Sequence, residues 1–421
     1  MNAHQISILL FGLAAIVLLA RLLGTVARRL DQPPVIGEVL AGILMGPTLF
    51  GGAISGHLFP TDVRPFLSAL ATVGVAVFMF IVGLEWDQSL IRGSGGLAVT
   101  VSLSSILLPF GLGAILAWSF MDEYGTGDRT AFVLFMGISM SITAFPVLAR
   151  ILTERSLDRT PLGAVALACA SIDDVLAWSV LAGVVALAGS AGPDQWRILL
   201  AVPYVLGMLF VIRPLLRRVT ERGDGPRLNQ TWLACILAGL LVSAAATEWM
   251  GLHFIFGAFL FGVVIPRERT EHLRTQIHER IGQLSSVLLL PVFFLVAGLQ
   301  VDLSGIGADG LGDLALILLV AIGGKFTGAF FAARAHRMPA RQAAALATLM
   351  NTRGLTELVV LSIGLHMKII GAELYSLMVV MAVVTTAMAG PLLRWIMPRR
   401  FVEAETTPRH SPPQQAVSSR P

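Results

Sequence analysis

The sequence predicts an all-α polytopic membrane protein with about thirteen transmembrane helices. Of its 421 residues, 55% are hydrophobic and only 13% are charged, and the mean hydropathy is +0.79. This composition excludes an ordinary soluble domain. Apolar stretches of about 17 to 25 residues, each long enough to cross a bilayer, recur along nearly the whole chain. A motif that occurs in both halves of the chain further predicts internal symmetry.

The apolar stretches follow one another from the N-terminus to residue 395. We predict helices at 5–24, 34–50, 66–85, 95–119, 129–151, 161–189, 196–217, 228–249, 251–265, 281–300, 312–335, 340–366 and 371–395. Residues 1–395 would then form the membrane domain. Residues 396–421 are rich in proline and serine, and we expect a short disordered cytoplasmic tail there.

Basic residues are concentrated in alternate links between the predicted helices. Links after odd-numbered helices carry most of them, as at Arg28 and Arg29, 213–227 and 334–341. Links after even-numbered helices carry little more than Arg64, Arg129, Arg197 and Lys368. The positive-inside rule therefore predicts a multi-pass protein of the cell membrane with its N-terminus outside and its C-terminus in the cytoplasm. We expect the basic loops to face anionic lipid, and no nucleic-acid partner.

A short motif is repeated in the two halves of the chain. Residues 77–89 read VFMFIVGLEWDQS and residues 292–304 read VFFLVAGLQVDLS. The first copy ends predicted helix 3 and the second ends predicted helix 10, so the two copies cross the membrane in opposite directions. Inverted-topology repeats of this kind are typical of secondary transporters. We therefore predict one repeat at about 1–190, a linking helix at about 196–217 and a second repeat at about 228–395.

This symmetry pairs predicted helix 5 with predicted helix 12, and both contain residues that interrupt helices. Helix 5 includes GISMSITAFPVLAR, with Ser139, Ser141, Thr143 and Pro146. Helix 12 includes LMNTRGLTEL, with Asn351, Thr352, Arg353 and Gly354. Proline removes a backbone donor and glycine loosens a helix, so either can free backbone polar groups inside the membrane. Crossed broken helices in corresponding positions indicate a transport site.

Charged residues occur at the same predicted depth. In SIDDVLAW, Asp173 and Asp174 lie about 18 to 20 Å from the start of predicted helix 6. Lys325, one of two lysines in the chain, is equally deep in predicted helix 11. Charges are costly in the membrane, so these residues are functional by default. Two interpretations of Lys325 stay open: a buried lysine can release its proton near neutral pH, or it can form an ion pair that only locks helices together.

Several further polar residues are weaker candidates. The hydroxyl of Ser171, like those on predicted helix 5, could supply an oxygen ligand or could bond back to its own helix. Glu38 and Glu357 could pair with basic residues, and Arg353 and Glu357 have the spacing of a helical ion pair. His272 and His278 could sense pH or could simply be solvated. The sequence has no dinucleotide, Walker or zinc motif, so we expect no cofactor, no metal other than a transported cation and no enzyme activity.

Seven stretches resemble one family of membrane proteins. They are QPPVIGEVLAGILMGP, VGLEWD, SITAFPVLARIL, SIDDVLAW, HFIFGAFLFGVVIP, PVFFLVAGLQVDL and MNTRGLTELVVLSIGL. They are similar to the monovalent cation:proton antiporters of the sodium/proton exchanger fold, in particular to the cation/H+ exchanger-like branch of the second superfamily. The resemblance implies a homodimer with a dimerisation domain and a mobile core domain, and alternating access by an elevator-like movement.

The resemblance also implies roles for individual residues. Asp174 would bind cation and proton competitively. Asp173 matches a position that is aspartate in electrogenic members, and Lys325 would pair with it and release a proton when cation binds. Thr143 and Pro146 would lie in the unwound part of helix 5, whose backbone oxygens help to hold the ion. Arg353 would offset the negative ends of the helix dipoles at the crossing. Plant members of the nearest branch read Asn–Asp at 173–174, so their ion preference and stoichiometry are not carried over.

These observations together predict a secondary antiporter that exchanges Na+ or K+ for H+, with electrogenic coupling through Asp173 and Lys325. One alternative is an electroneutral K+/H+ exchanger in which Lys325 stays charged. An alternative of another class is a non-transporting ion or pH sensor on the same fold. The sequence does not predict which of the two cations is preferred, because selectivity depends on fine ligand geometry.

Overall fold

Helices form all the regular structure of the described residues, apart from one isolated β-bridge between Gly125 and Ile370. The computed structural model describes residues 2–48, 52–85, 95–155, 157, 160–188, 195–221, 230–266, 271–304 and 306–398. The predicted all-α membrane fold is confirmed. The predicted tail at 396–421 lies outside the described residues from residue 399 onward.

The helices are labelled α1 to α18 in chain order. Their bounds are α1 Ala3–Arg29, α2 Pro34–Met45, α3 Ala53–Leu58, α4 Arg64–Glu85, α5 Gly95–Tyr124, α6 Arg129–Ser141, α7 Phe145–Glu154, α8 Pro161–Ala188, α9 Ala201–Gly207, α10 Arg213–Glu221, α11 Gln230–Trp249, α12 Phe254–Val264, α13 Glu271–Ile277, α14 Leu290–Gly298, α15 Ala308–Ala335, α16 Ala340–Met350, α17 Leu355–His366 and α18 Ala372–Ile396. A 3₁₀ turn at Gln195–Leu200 and π-helical turns at Met208–Ile212, His278–Gly282 and Ser285–Leu289 continue neighbouring helices.

Nine helical stretches in the described part of the chain are long and apolar enough to cross a membrane, and three shorter apolar helices accompany them, namely α2, α12 and α17. The predicted linking helix at 196–217 is irregular, because a 3₁₀ turn and a π-helical turn divide it. Several helices also extend beyond their predicted ends. For example, α1 continues to Arg29, where two arginines at its C-terminus favour the helix dipole. The total of thirteen spans stays a prediction.

Predicted helices 5 and 12 are each broken in the middle. The first divides into α6 and α7, which are separated by residues 142–144, and the second divides into α16 and α17, which are separated by residues 351–354. Pro146 lies in the first turn of α7, where its missing backbone donor costs nothing. The chain therefore leaves one helix and begins another within the length of each predicted span.

The helices form two sets of neighbours. In one set α5 contacts α6, α8 and α15, and α15 contacts α16 and α18. In the other, α4 contacts α12 and α14, α12 contacts α11, and α14 contacts α2. The contact between α5 and α15 is close because Gly328 has no side chain: a Cβ there would lie 2.4 Å from the Ser104 backbone oxygen. This close contact brings Lys325, one turn earlier on α15, against α5.

The repeated sequence motif is only partly described. The second copy ends at α14 and the loop after it, where Asp302 accepts hydrogen bonds from the backbone and the hydroxyl of Ser304 at 2.9 and 2.6 Å. These bonds lower the pKa of the exposed Asp302 carboxyl. In the first copy, Asp87 lies outside the described residues. The predicted repeat symmetry therefore stays a prediction.

Candidate functional site

The two breaks in the helices meet. The backbone N–H of Ala144, in the break between α6 and α7, donates to the carbonyl of Thr352, in the break between α16 and α17, at 3.0 Å. The hydroxyl of Thr143 lies 3.0 Å from the carbonyl of Met350. Backbone groups that the breaks free are thus partly satisfied by the opposite chain segment, as the low-dielectric interior requires.

Asp173 of α8 lies at the centre of a hydrogen-bond cluster beside this crossing. Its side chain is fully buried. Oδ1 accepts a hydrogen bond from the hydroxyl of Ser102. Oδ2 lies 2.7 Å from the Thr143 hydroxyl, 3.3 Å from the Ser105 hydroxyl and 3.4 Å from Lys325 Nζ. The carboxylate is therefore surrounded by donors from three other elements, which compensate for the loss of water.

Lys325 of α15 is fully buried and connects Asp173 to the broken helix. Its ammonium group donates to the Ser141 carbonyl at the end of α6, and lies 3.5 Å from the Ser105 carbonyl. The last carbonyls of a helix have no partner within the helix and carry its negative dipole end. Lys325 therefore pairs with the Asp173 carboxylate and also donates a hydrogen bond to the C-terminus of α6.

Arg353 completes the cap on α6 from the other break. This fully buried side chain donates from Nη1 to the Ser139 carbonyl and from Nη2 to the Met140 carbonyl. Its Nη1 also lies 3.1 Å from Oε2 of the fully buried Glu357, one turn later on α17. Two buried cations, Lys325 and Arg353, thus bond three successive carbonyls at the end of α6, where positive charge is most stabilising.

Asp174 has a different environment from its neighbour. Its side chain is 4% exposed, and its buried Oδ1 has no hydrogen-bond partner among the described residues. Asp173 and Lys325 are both within electrostatic range of it. A buried carboxylate oxygen without a donor is costly. Of the two adjacent carboxylates, Asp174 is the one with free capacity to bind a proton or a hard cation.

The remaining predicted residues lie around this cluster with smaller roles in its bonding. The Ser141 hydroxyl bonds to the Gly137 and Ile106 carbonyls at 2.7 and 3.0 Å, and the Thr352 hydroxyl bonds to the Leu349 carbonyl at 2.7 Å. The buried hydroxyl of Ser139 and Oδ1 of Asn351 have no partner among the described residues. Ser171 is buried on the same helix as the two carboxylates.

Two weaker candidates lie away from the cluster. Glu38 of α2 is half-buried and within electrostatic range of Arg21, Arg28 and Arg150, and its pairing stays a prediction. His278 lies 3.0 Å from Glu85, at the ends of α13 and α4. The side chain of His272 lies outside the described residues.

Ser102 and Ser105 on α5 are the site residues that the sequence did not predict. Both are fully buried and both reach Asp173. They occur in SLSS, within an apolar helix, where a serine more often bonds to its own helix. Their spacing of three residues places them on one face of a helix. That spacing could have predicted a pair of polar contacts, but only if it were known which helix faces Asp173.

A large cavity lies among five of the described helices. It has a volume of about 850 Å³ and is bounded by the beginnings of α4 and α12 and the ends of α11, α14 and α17. Its polar lining includes Glu248, His253, Gln300 and Lys368. All five helix ends lie on the side of the links that follow even-numbered predicted helices. Asp174 is not among the residues that line the cavity.

A family model and individual relatives of known name all indicate the same protein family. The chain matches the family described as "Sodium/hydrogen exchanger, transmembrane" over residues 14–399. It is 37% identical over 411 residues to "Na(+)/H(+) antiporter NhaS4" of Synechocystis, a match covering 94% of this chain and 99% of that protein. It is 33% identical to "K(+)/H(+) antiporter 1" of Saccharomyces cerevisiae, covering 95% of this chain but only 47% of the yeast protein.

The fold has a solved counterpart. The structure of the sodium proton antiporter MjNhaP1 from Methanocaldococcus jannaschii, at pH 8, aligns with a TM-score of 0.63 and 15% sequence identity, covering 95% of this chain and 98% of that one. At this identity the likeness concerns the fold alone. Together with the match over residues 14–399, it leads to one conclusion: the chain belongs to the transmembrane sodium/hydrogen exchanger family.

Proposed function

We propose that this protein is a secondary antiporter that exchanges a monovalent cation, Na+ or K+, for H+ by alternating access. The observation that carries the proposal is the contrast between two adjacent buried carboxylates: Asp173 is surrounded by donors, whereas Oδ1 of Asp174 has none among the described residues. Asp174 is the carrier carboxylate. The family membership and the names of the bacterial and yeast relatives support the exchange of Na+ or K+ for protons.

Competition at Asp174 provides the coupling between the two ions. Burial and the neighbouring negative charge of Asp173 both oppose a bare anion at this position. A proton or a cation bound to Asp174 relieves that cost, and the two exclude each other. If only the loaded or protonated carrier can change its orientation, one ion crosses in exchange for the other.

Charge movement is assigned to Asp173 and Lys325. Their side chains are fully buried, with Lys325 Nζ 3.4 Å from Asp173 Oδ2. A cation arriving at Asp174 adds positive charge close to Lys325, and the hydroxyl donors around Asp173 stabilise its anion without the ammonium. Release of the lysine proton to water on the open side then gives two protons per cation and an electrogenic cycle. In the electroneutral alternative, Lys325 keeps its proton throughout.

We propose that the change between outward-open and inward-open states is a movement of one set of helices against the other. Helices α5 to α8 and α15 to α18 form the mobile core, which carries the site, and α1, α2, α4, α11, α12 and α14 form the dimerisation domain of a homodimer. The 850 Å³ cavity lies between α17 of the core and helices of the other set, and it is the entrance from one face. We place the protein in the cell membrane with its N-terminus outside, as the distribution of arginines predicts.

A flux experiment tests this proposal. Purified protein in proteoliposomes with an imposed pH gradient is given Na+ or K+, with and without a clamped membrane potential. Dissipation of the gradient on addition of either cation supports antiport, and dependence on the potential supports proton release from Lys325. A response that does not change with potential favours the electroneutral alternative. No response to either cation from correctly folded protein refutes transport and favours the sensor.

A further inference from the structure

The hydroxyls of two serines of α5 lie within hydrogen-bond distance of the Asp173 carboxylate. Ser102 and Ser105 are three residues apart and lie on one face of the helix. Ser102 donates to Oδ1 of Asp173, and the Ser105 hydroxyl lies 3.3 Å from Oδ2. Each serine also has a backbone acceptor nearby: the carbonyl of Cys169 lies 3.5 Å from the Ser102 hydroxyl, and the carbonyl of Ser102 lies 2.9 Å from the Ser105 hydroxyl.

Both oxygens of the Asp173 carboxylate have hydrogen-bond donors. An ionised carboxylate has about four lone-pair sites. The groups within hydrogen-bond distance of Asp173 are the hydroxyls of Ser102, Ser105 and Thr143 and the ammonium of Lys325. Three of these groups approach Oδ2, and the Ser102 hydroxyl approaches Oδ1. Each oxygen of Asp173 therefore already has a donor, and neither is left bare for a hard cation, which is bound by such oxygens.

We propose that Ser102 and Ser105 determine specificity in the cation site by keeping Asp173 from acting as a second cation ligand. This inference rests on the proposed function, in which Asp174 is the carrier carboxylate. Ser102 gives Oδ1 of Asp173 its donor and Ser105 adds one near Oδ2, so an arriving cation meets one carboxylate with a bare oxygen instead of two. The site then binds cation loosely enough to release it, and exchanges one cation per carrier carboxylate.

The position of Asp173 makes it a second ligand once the serines are removed. It is the neighbour of Asp174 on α8, and its Oδ2 lies 2.7 Å from the Thr143 hydroxyl, inside the break between α6 and α7. Cation affinity in oxygen sites rises with the number of charged ligands. Loss of the Ser102 hydroxyl leaves Oδ1 of Asp173 without its donor in a buried site, and a bound cation is the group best able to replace that donor.

The experiment compares serine-to-alanine variants in proteoliposomes. For Ser102→Ala, and more strongly for Ser102→Ala with Ser105→Ala, the KM for Na+ or K+ falls by about tenfold, the equivalent of one hydrogen bond to a charged group. The maximal rate falls as well, because a cation held more tightly is released more slowly. Ser119→Ala is the matched control: Ser119 lies on the same helix, and its hydroxyl bonds only to the Leu116 carbonyl at 2.8 Å among the contacts described.

The direction in which the KM changes distinguishes a role in cation specificity from a merely structural role of the two serines. Damage to the site raises KM or lowers the maximal rate alone, whereas the proposal requires both quantities to fall together. Direct binding of Na+ to the purified variants gives a second readout, and Ser105→Ala alone carries the test if the Ser102 variants do not fold. An unchanged or raised KM in folded variants overturns the inference. If instead Asp174→Asn still transports like the parent, the proposed function itself fails.

Discussion

Removal of the Lys325 ammonium leaves the fully buried Asp173 carboxylate without its counter-charge. Lys325→Ala removes the only cation within 4 Å of Asp173 among the described residues, where Nζ and Oδ2 are 3.4 Å apart and both side chains are 0% exposed. Breaking a buried ion pair by removing one partner costs about 3 to 5 kcal/mol. The hydroxyls of Ser102 and Thr143 still donate to the carboxylate, so we expect the lower end, about 3 kcal/mol.

The reciprocal variant, Asp173→Asn, has a smaller expected cost. It removes the negative partner, but a buried lysine can give up its proton and become neutral. In a double-mutant cycle the two substitutions together are therefore less destabilising than their sum, by about 2 kcal/mol.

The assay is thermal and denaturant unfolding of the purified protein in detergent near pH 8, with the exposed Lys368→Ala as the matched control. We expect a clear fall in the unfolding midpoint for Lys325→Ala, a smaller fall for Asp173→Asn, and partial recovery in the double variant. The reasoning is refuted if Lys325→Ala unfolds like the Lys368 control, or if the two substitutions add without coupling.

Two further predictions concern the crossing and the packing of α15. Arg353→Gln leaves Glu357 without its buried counter-charge and the Ser139 and Met140 carbonyls without their cationic donor. We therefore expect a loss of about 3 to 5 kcal/mol together with loss of cation-driven flux, and an active variant of parental stability would argue against this role of Arg353. Gly328→Ala places a Cβ 2.4 Å from the Ser104 carbonyl oxygen and should cost about 1 to 3 kcal/mol by overpacking. Gly323→Ala on the same helix has nothing within 4 Å of its Cβ and serves as the control, which we expect to be neutral or slightly stabilising.

Much of the site was predictable because membrane burial makes polar residues conspicuous. Counting residues along the helices predicts a common depth for Asp173, Asp174 and Lys325, since the rise per residue is fixed. The structure brings the side chains of Asp173 and Lys325 within 3.4 Å of each other. The two breaks follow from residues that interrupt helices at mid-membrane depth. The predicted inverted pairing of the two halves led us to expect that the breaks correspond, and the hydrogen bond between Ala144 and Thr352 joins them.

The features that were not predictable depend on which helix faces which. Ser102 and Ser105 are site residues only because α5 packs against α8, where their hydroxyls reach Asp173. The sequence of an apolar helix does not indicate which group a serine hydroxyl will contact. Likewise, Arg353 was expected to offset helix dipoles, but its bonds to two particular carbonyls, those of Ser139 and Met140, depend on tertiary geometry. The exact helix ends also escaped prediction, because helices continue past the apolar stretch into the polar interface.

The most direct test of the central claim is the pH dependence of the apparent cation KM in proteoliposomes. If one carboxylate, Asp174, holds either a proton or a cation, the KM rises as the pH falls, by about tenfold per unit where the protonated form predominates, while the maximal rate at saturating cation changes little. Asp174→Asn should abolish the flux, whereas Asp309→Asn, an exposed carboxylate on α15, should behave like the parent. A KM that stays constant with pH while only the maximal rate changes, or an active Asp174→Asn variant, would contradict the account.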